Sequence, residues 1–200
     1  APGPPGSTQG EAAAASATHC GAVTADGIFG ATGIAATASG YGGSASVTNS
    51  GDIDVSNGAL LSYGAYGIVV SSDGDGSIDN SGSIEVYSGG VANGATVLSF
   101  AGDASVTNSG DISAYSAAAA FYGATGITAF AANGSAYVGN SGSVSVTSAA
   151  ILGAATRAVD AQGQQGVVVV NSGSLYANGK YAYGVYALST EGDVAVHNED

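Results

Sequence analysis

Val47-Thr48-Asn49-Ser50-Gly51-Asp52-Ile53 decides the reading of this chain, because its centre keeps returning. Thr48-Asn49-Ser50-Gly51 is followed by Asp79-Asn80-Ser81-Gly82, Thr107-Asn108-Ser109-Gly110, Gly139-Asn140-Ser141-Gly142 and Val170-Asn171-Ser172-Gly173, with a degraded copy at His197-Asn198-Glu199-Asp200. Successive Asn residues are separated by 31, 28, 32, 31 and 27 positions. Self-similarity at such a period marks a solenoid, in which each repeat buries its apolar side only against its neighbours.

A further copy precedes these. Setting Thr18-His19-Cys20-Gly21 on Thr48-Asn49-Ser50-Gly51 brings Ala31-Thr32-Gly33-Ile34 onto Ala65-Tyr66-Gly67-Ile68. The second motif is read again at Ala95-Thr96-Val97-Leu98, Ala124-Thr125-Gly126-Ile127, Ala155-Thr156-Arg157-Ala158 and Ala182-Tyr183-Gly184-Val185. Within a repeat the pattern alternates with period two, the strand signature, as in Asp52-Ile53-Asp54-Val55. Corners are expected at Asn57-Gly58, Asp75-Gly76, Asn93-Gly94, Asn133-Gly134 and Asn178-Gly179, where Gly and Asn would supply positive φ.

These features predict an all-β fold, a single-stranded parallel β-helix of about six to seven rungs, with roughly 30 residues and three short strands per rung. Residues 1–12 read as an extended Pro/Gly/Ser leader and 13–200 as the repeat domain. An antiparallel sandwich also has short strands and Gly-rich turns, but it does not demand one residue at one corner in every repeat. Val47, Ile78, Val106, Val138 and Val169, continued by Val194 or Val196, form one expected inward column. Ile53, Ile84, Ile112, Val144 and Leu175 form another. Between them run Asn49, Asn80, Asn108, Asn140, Asn171 and Asn198, whose amides can satisfy one another only by stacking into a ladder.

Composition narrows the partners. Lys180 and Arg157 are the only Lys or Arg residues against fifteen carboxylates, for a formal net charge of −13. Nucleic-acid backbones and anionic lipid surfaces select for basic patches, so neither is an expected partner. No apolar run approaches the roughly 20 residues of a membrane span. Cys20 stands alone, which forbids an intrachain disulfide and makes it a small buried residue or an intermolecular link.

With Val-Thr-Asn-Ser-Gly-Asp-Ile followed by Ala-(Thr/Tyr)-Gly-Ile, the chain resembles the repeats in passenger regions of bacterial autotransporters and related type V secreted adhesins, from about residue 13 to residue 200. The resemblance implies a right-handed parallel β-helix exported to the cell exterior, with roles in adhesion, biofilm or surface coats. It also implies glycans or host and cell surfaces as partners. Two departures stand out: the sequence holds no membrane barrel and no capping segment after the last copy.

Candidate chemistry is sparse. Asp54 and Glu85 lie equally far beyond their Asn residues and could form an acid–base pair on one outer face. Asp52 and Asp111 share a column, with Ser83 between them. Ser72-Asp73-Gly74-Asp75-Gly76 resembles half of a calcium loop, so Asp73 and Asp75 are the candidate metal ligands. His19 and His197 are too few for a zinc site, and His19 is expected to replace Asn in the first rung's column. Eleven Tyr residues, Tyr63, Tyr66, Tyr122, Tyr181, Tyr183 and Tyr186 among them, form either an outer aromatic strip or filling for a wide inner corner. No cofactor is otherwise expected.

The ends carry the functional expectation. Ala1-Pro2-Gly3 at the start, without an initiator Met, is what a mature end looks like, and a segment cut from a longer chain would look the same. The sequence stops within a copy, right after a strand. Unpaired parallel edges of one cross-section are complementary, and such a head-to-tail contact does not close. The expectation is a non-enzymatic filament subunit whose interface comprises Ala13, Ala15, Ala17, His19, Val194, Val196 and Asn198. The alternatives are a piece of a larger adhesin passenger and, third, a carbohydrate-active enzyme.

Overall fold

A computed structural model describes residues 14–58, 64–117, 123–150 and 154–199. Among them the regular structure is all strand, and every strand pair is parallel. The first sheet stacks β1 (Ala14–His19), β4 (Ser44–Asn49), β7 (Gly76–Asn80), β10 (Ala104–Asn108), β13 (Ser135–Asn140), β16 (Gly166–Asn171) and β19 (Val194–Asn198). The second stacks β2 (Ala22–Gly27), β5 (Asp52–Asn57), β8 (Ile84–Ser88), β11 (Asp111–Ser116), β14 (Ser143–Ser148) and β17 (Ser174–Asn178). The third stacks β3 (Ala31–Ala38), β6 (Ala65–Ser72), β9 (Ala92–Ser99), β12 (Ala124–Ala131), β15 (Ala155–Gly163) and β18 (Tyr181–Ser189). Each strand pairs with the third before and the third after it, so the chain winds as a β-solenoid of about six turns with three strands per rung.

Alternation decides what faces in. In β5, Ile53, Val55 and Asn57 are buried while Asp52 and Asp54 are exposed. Stacking in register then makes columns: Val47 pairs with Ile78, Ile78 with Val106, Val106 with Val138, and Val138 with Val169. Val196, not Val194, continues this column, because Val169 pairs with Val196. The Ile53, Ile84, Ile112 and Val144 column is buried, and Leu175 is half-buried at its end. The core is therefore narrow and built of Val, Ile and Ala.

In the third sheet a glycine column faces the Ile column. A Cβ on Gly67 would meet the Cγ2 methyl of Ile84 and stand 2.6 Å from the Gly94 carbonyl oxygen. Backbone cannot yield at Gly67, whereas in the fifth rung the column takes Ala158, which carries only a methyl group.

Several expectations need correction. The second motif in the third rung is Ala92-Asn93-Gly94-Ala95, not Ala95-Thr96-Val97-Leu98, since Ala65 pairs with Ala92 and Ile68 with Ala95. In the fifth rung the match slips by one residue, because Ala124 pairs with Thr156 and Ile127 with Val159. Asn93-Gly94 consequently lies inside β9 and not at a corner. Among the described residues, positive φ occurs at Gly40 (127°), Gly42 (76°) and Gly64 (124°), and at none of the five proposed Asn-Gly or Asp-Gly corners. Cys20 is exposed, because it takes the outward corner position that Ser50 takes one rung later.

The glycine column gives a direct test. Gly67→Ala should destabilise the fold by about 1–3 kcal/mol, the usual cost of overfilling a packed site. Gly184→Ala, whose added Cβ meets nothing within 4 Å, should be near neutral. Thermal unfolding of the two variants checks the contrast.

Candidate functional site

The Asn column forms a continuous polar ladder inside an apolar core. Asn49 Nδ2 donates to Asn80 Oδ1 at 2.7 Å, Asn80 to Asn108 at 2.7 Å, Asn108 to Asn140 at 2.8 Å, Asn140 to Asn171 at 2.7 Å and Asn171 to Asn198 at 2.7 Å. The second N–H of each amide from Asn49 to Asn171 donates across its own corner, from Asn49 to the Gly51 carbonyl at 2.9 Å and from Asn108 to that of Gly110 at 2.9 Å. Both donors being spent this way fixes the amide orientation. The ladder thus has one polarity along the axis. At its start His19 Nδ1 lies 2.8 Å from Asn49 Oδ1, an acceptor, so His19 donates from Nδ1. The amides from Asn49 to Asn171 are buried, whereas Asn198 is exposed.

The two candidate calcium ligands serve the backbone. Asp73 Oδ2 accepts from the Gly42 N–H at 3.0 Å, one rung below, and Asp75 Oδ1 accepts from the Asp103 N–H at 3.0 Å, one rung above. Asp103 repeats the arrangement on the Ser135 N–H at 2.7 Å. These carboxylates fasten consecutive corners together. Among the described residues, no three His, Cys, Asp or Glu side chains gather as a metal site.

Asp54 and Glu85 are paired across neighbouring strands and both exposed on the outer face of the second sheet. Two positions further along, Tyr87 and Tyr115 stack with centroids 5.5 Å apart and planes 11° from parallel. A recess of about 260 Å³ lies elsewhere, over the Asn corner, lined by Asp79, Thr107, Ser109, Gly139 and Ser141 among others. It contains one carboxylate, Asp79, which accepts from Thr107 Oγ1 at 3.0 Å.

The Tyr question resolves outward: Tyr87, Tyr115, Tyr137, Tyr176, Tyr181 and Tyr183 are all exposed, and Tyr66 and Tyr186 are half-buried at outward positions. Tyr63 and Tyr122 lie outside the described residues. So do Ala13 and the stretch 1–12. Of the other residues assigned to an interface, Ala15, Ala17 and His19 occupy β1 and Val194, Val196 and Asn198 occupy β19, the two edges of the first sheet. Val194 and Val196 are 47% and 48% exposed, while their counterparts Val167 and Val169 are 1% and 0%.

Sequence reasoning missed one cluster. Arg157, Asp160 and Gln162 project from β15 beside Tyr183, Tyr186 and Leu188 of β18. Arg157 Nη1 pairs with Asp160 Oδ2 at 3.1 Å, and Gln162 Nε2 donates to Asp160 Oδ1 at 2.8 Å. The guanidinium lies 4.6 Å from the Tyr186 ring centroid and 5.8 Å from that of Tyr183, and the two rings meet edge to face at 6.0 Å. The slip in motif alignment hid this. Read as Ala155-Thr156-Arg157-Ala158, Arg157 falls on the inward glycine position; moved by one residue it faces out beside Tyr183, because a one-residue shift exchanges the faces of a strand.

No protein-family model, no curated protein and no solved structure matches the chain.

The ladder predicts its own fragility. Asn108→Ala would strand the Asn80 donor and the Asn140 acceptor in the core. At about 1–3 kcal/mol for each unsatisfied buried group, the loss should exceed that of a surface substitution such as Ser113→Ala several-fold. Denaturant unfolding of both variants measures it.

Proposed function

We propose that this chain is a non-enzymatic structural protein of the bacterial cell exterior, a β-solenoid subunit that joins head-to-tail into a surface or matrix filament and adheres through its outer faces. One observation carries the reading: the two edges of the first sheet are complementary. With β1 of one copy set on β19 of another, Ala15 meets Val194, Ala17 meets Val196 and His19 meets Asn198, column for column. Small residues then face large ones, and the exposed valines gain the cover their counterparts have. The amide polarity also fits. Asn198 offers a donor, and the His19 tautomer that donates from Nδ1 carries an acceptor at Nε2.

Supporting the non-enzymatic part, Asp54 and Glu85 sit on a flat face and the recess over the Asn corner holds a single carboxylate. The exported, adhesive setting rests on the style of the repeats and on a surface of small, polar and acidic residues, which suits solubility outside the cell.

A second reading, a segment of a longer adhesin passenger, has its own observation. β19 stands one strand beyond β17 and β18 in the winding order, so β1 set on β19 leaves one strand position open over each of them. A chain continuing past β19 would fill those positions in turn.

Negative-stain electron microscopy of the 200-residue chain separates the readings. Unbranched fibres of uniform width are expected, lost on Val196→Asp or Ala17→Asp. Dispersed rods roughly 30 Å long, from about six rung spacings, would overturn polymerisation and leave the passenger reading. Release of reducing ends from a polysaccharide would overturn the non-enzymatic part.

A further inference from the structure

The outer face of the third sheet, over its last rungs, differs from every other described surface of the molecule. Three rows lie one strand spacing apart, about 4.8 Å. Thr125 and Thr128 form the first, Arg157, Asp160 and Gln162 the second, and Tyr183, Tyr186 and Leu188 the third. Both cations of a chain with net charge −13 stand here, for Lys180 directly precedes β18, its ammonium 5.6 Å from the Tyr181 ring centroid.

The middle row is pre-set. Asp160 is 7% exposed, and its two carboxylate oxygens are taken by Arg157 and Gln162. That holds the guanidinium plane against Tyr186, and Arg157 keeps further N–H donors beyond the one given to Asp160. Its Nε is buried with no partner. At the other end of the row, Phe130, Gln162, Gln164, Leu188 and Thr190 line a recess of about 130 Å³. That volume is well below the roughly 300–1,000 Å³ of pockets that enclose a small molecule. A ligand here lies along the surface.

We propose that this patch binds an acidic polysaccharide, a chain of hexuronate residues, with a uronate carboxylate on Arg157 and a sugar face against Tyr183. The proposal rests on the adhesive part of the reading above and names its ligand. A pyranose ring has an apolar face that covers an exposed aromatic ring, and hydroxyls that reach planar amides and threonine hydroxyls. A carboxylate takes parallel N–H donors from a guanidinium already fixed in plane. Charge directs where an acidic sugar docks: both Lys and Arg residues of an otherwise acidic chain stand here, and the nearby carboxylates of Asp160 and Glu191 are already engaged by Arg157, Gln162 and Gln164.

Isothermal titration of the 200-residue chain with a galacturonate oligomer tests this, against a neutral galactose oligomer and an oligoglutamate of equal charge. Saturable binding of the galacturonate is expected, with both other probes weaker. Arg157→Gln and, separately, Tyr183→Ala should each weaken it about tenfold, the first by loss of a charge-assisted contact and the second by loss of the aromatic face under the sugar. Asp54→Asn on the second sheet should leave it unchanged, and circular dichroism should show all three variants folded. Absence of saturable binding, equal binding of oligoglutamate, or no loss in either patch variant overturns the proposal. Retention of the chain on beads carrying neutral glycans, without uronate binding, overturns the ligand class and leaves the adhesive reading standing; loss of both removes both.

Discussion

Parallel stacking in register is the constraint on which the rest of this structure depends. Each residue has as its neighbour along the axis its own counterpart one rung away. A residue type is therefore acceptable at an inward position only if it tolerates itself on both sides. Val and Ile do so by packing. Asn does so because its amide carries donor and acceptor together, so that an unbroken column satisfies every member. An inward Asp column would place like charges one strand spacing apart in the core; the buried Ser column of Ser88, Ser116 and Ser148 serves the corners instead, Ser116 Oγ donating to the Gly90 carbonyl at 2.6 Å. Asn meets both needs, donating once along the axis and once across the corner.

The same rule acts on the outside, where water weakens it. Two unit charges at 4 Å interact by about 1 kcal/mol in bulk water. Adjacent carboxylates are accordingly tolerated: Asp54 and Glu85 pair directly on an exposed face, whereas Ser83 separates Asp52 from Asp111. Where two carboxylates do follow one another at a corner, as Asp75 and Asp103 do, each accepts a backbone N–H from the rung beyond. The acidity that looks like bulk solubility in the composition is in part a set of corner fasteners, which no count of charges could reveal.

The rungs were legible in sequence where corner length is constant and illegible where it varies. Ile53 follows Asn49 at the interval by which Ile84 follows Asn80 and Ile112 follows Asn108, so the first two strands of each rung align at sight. The corner before the third strand changes length, being longer between Asn57 and Ala65 than between Ser88 and Ala92. Residue similarity then pulled Ala95 and Ala155 into places that hydrogen bonding gives to Ala92 and Thr156. The orientation of the Tyr residues hangs on the same register, as does the face on which Arg157 lies. One-residue errors were invisible in the periodic signal, yet they decide which side chains meet.

Outward positions escape the packing rule, and this makes departures from small polar residues there informative. The Arg157, Asp160 and Gln162 row gives the core nothing, since Thr156, Ala158, Val159 and Ala161 already close it from within. It nevertheless draws a carboxylate largely out of water, an arrangement that a salt bridge does not repay in full. Thr125, Thr128 and Phe130, their counterparts in the rung beneath, build the same sheet without that penalty. Aromatic rings over the guanidinium add rigidity to a charge that the fold does not require. Stability forgone on an outer face, with orientation gained, fits selection for what the face touches and not for how the rung stands.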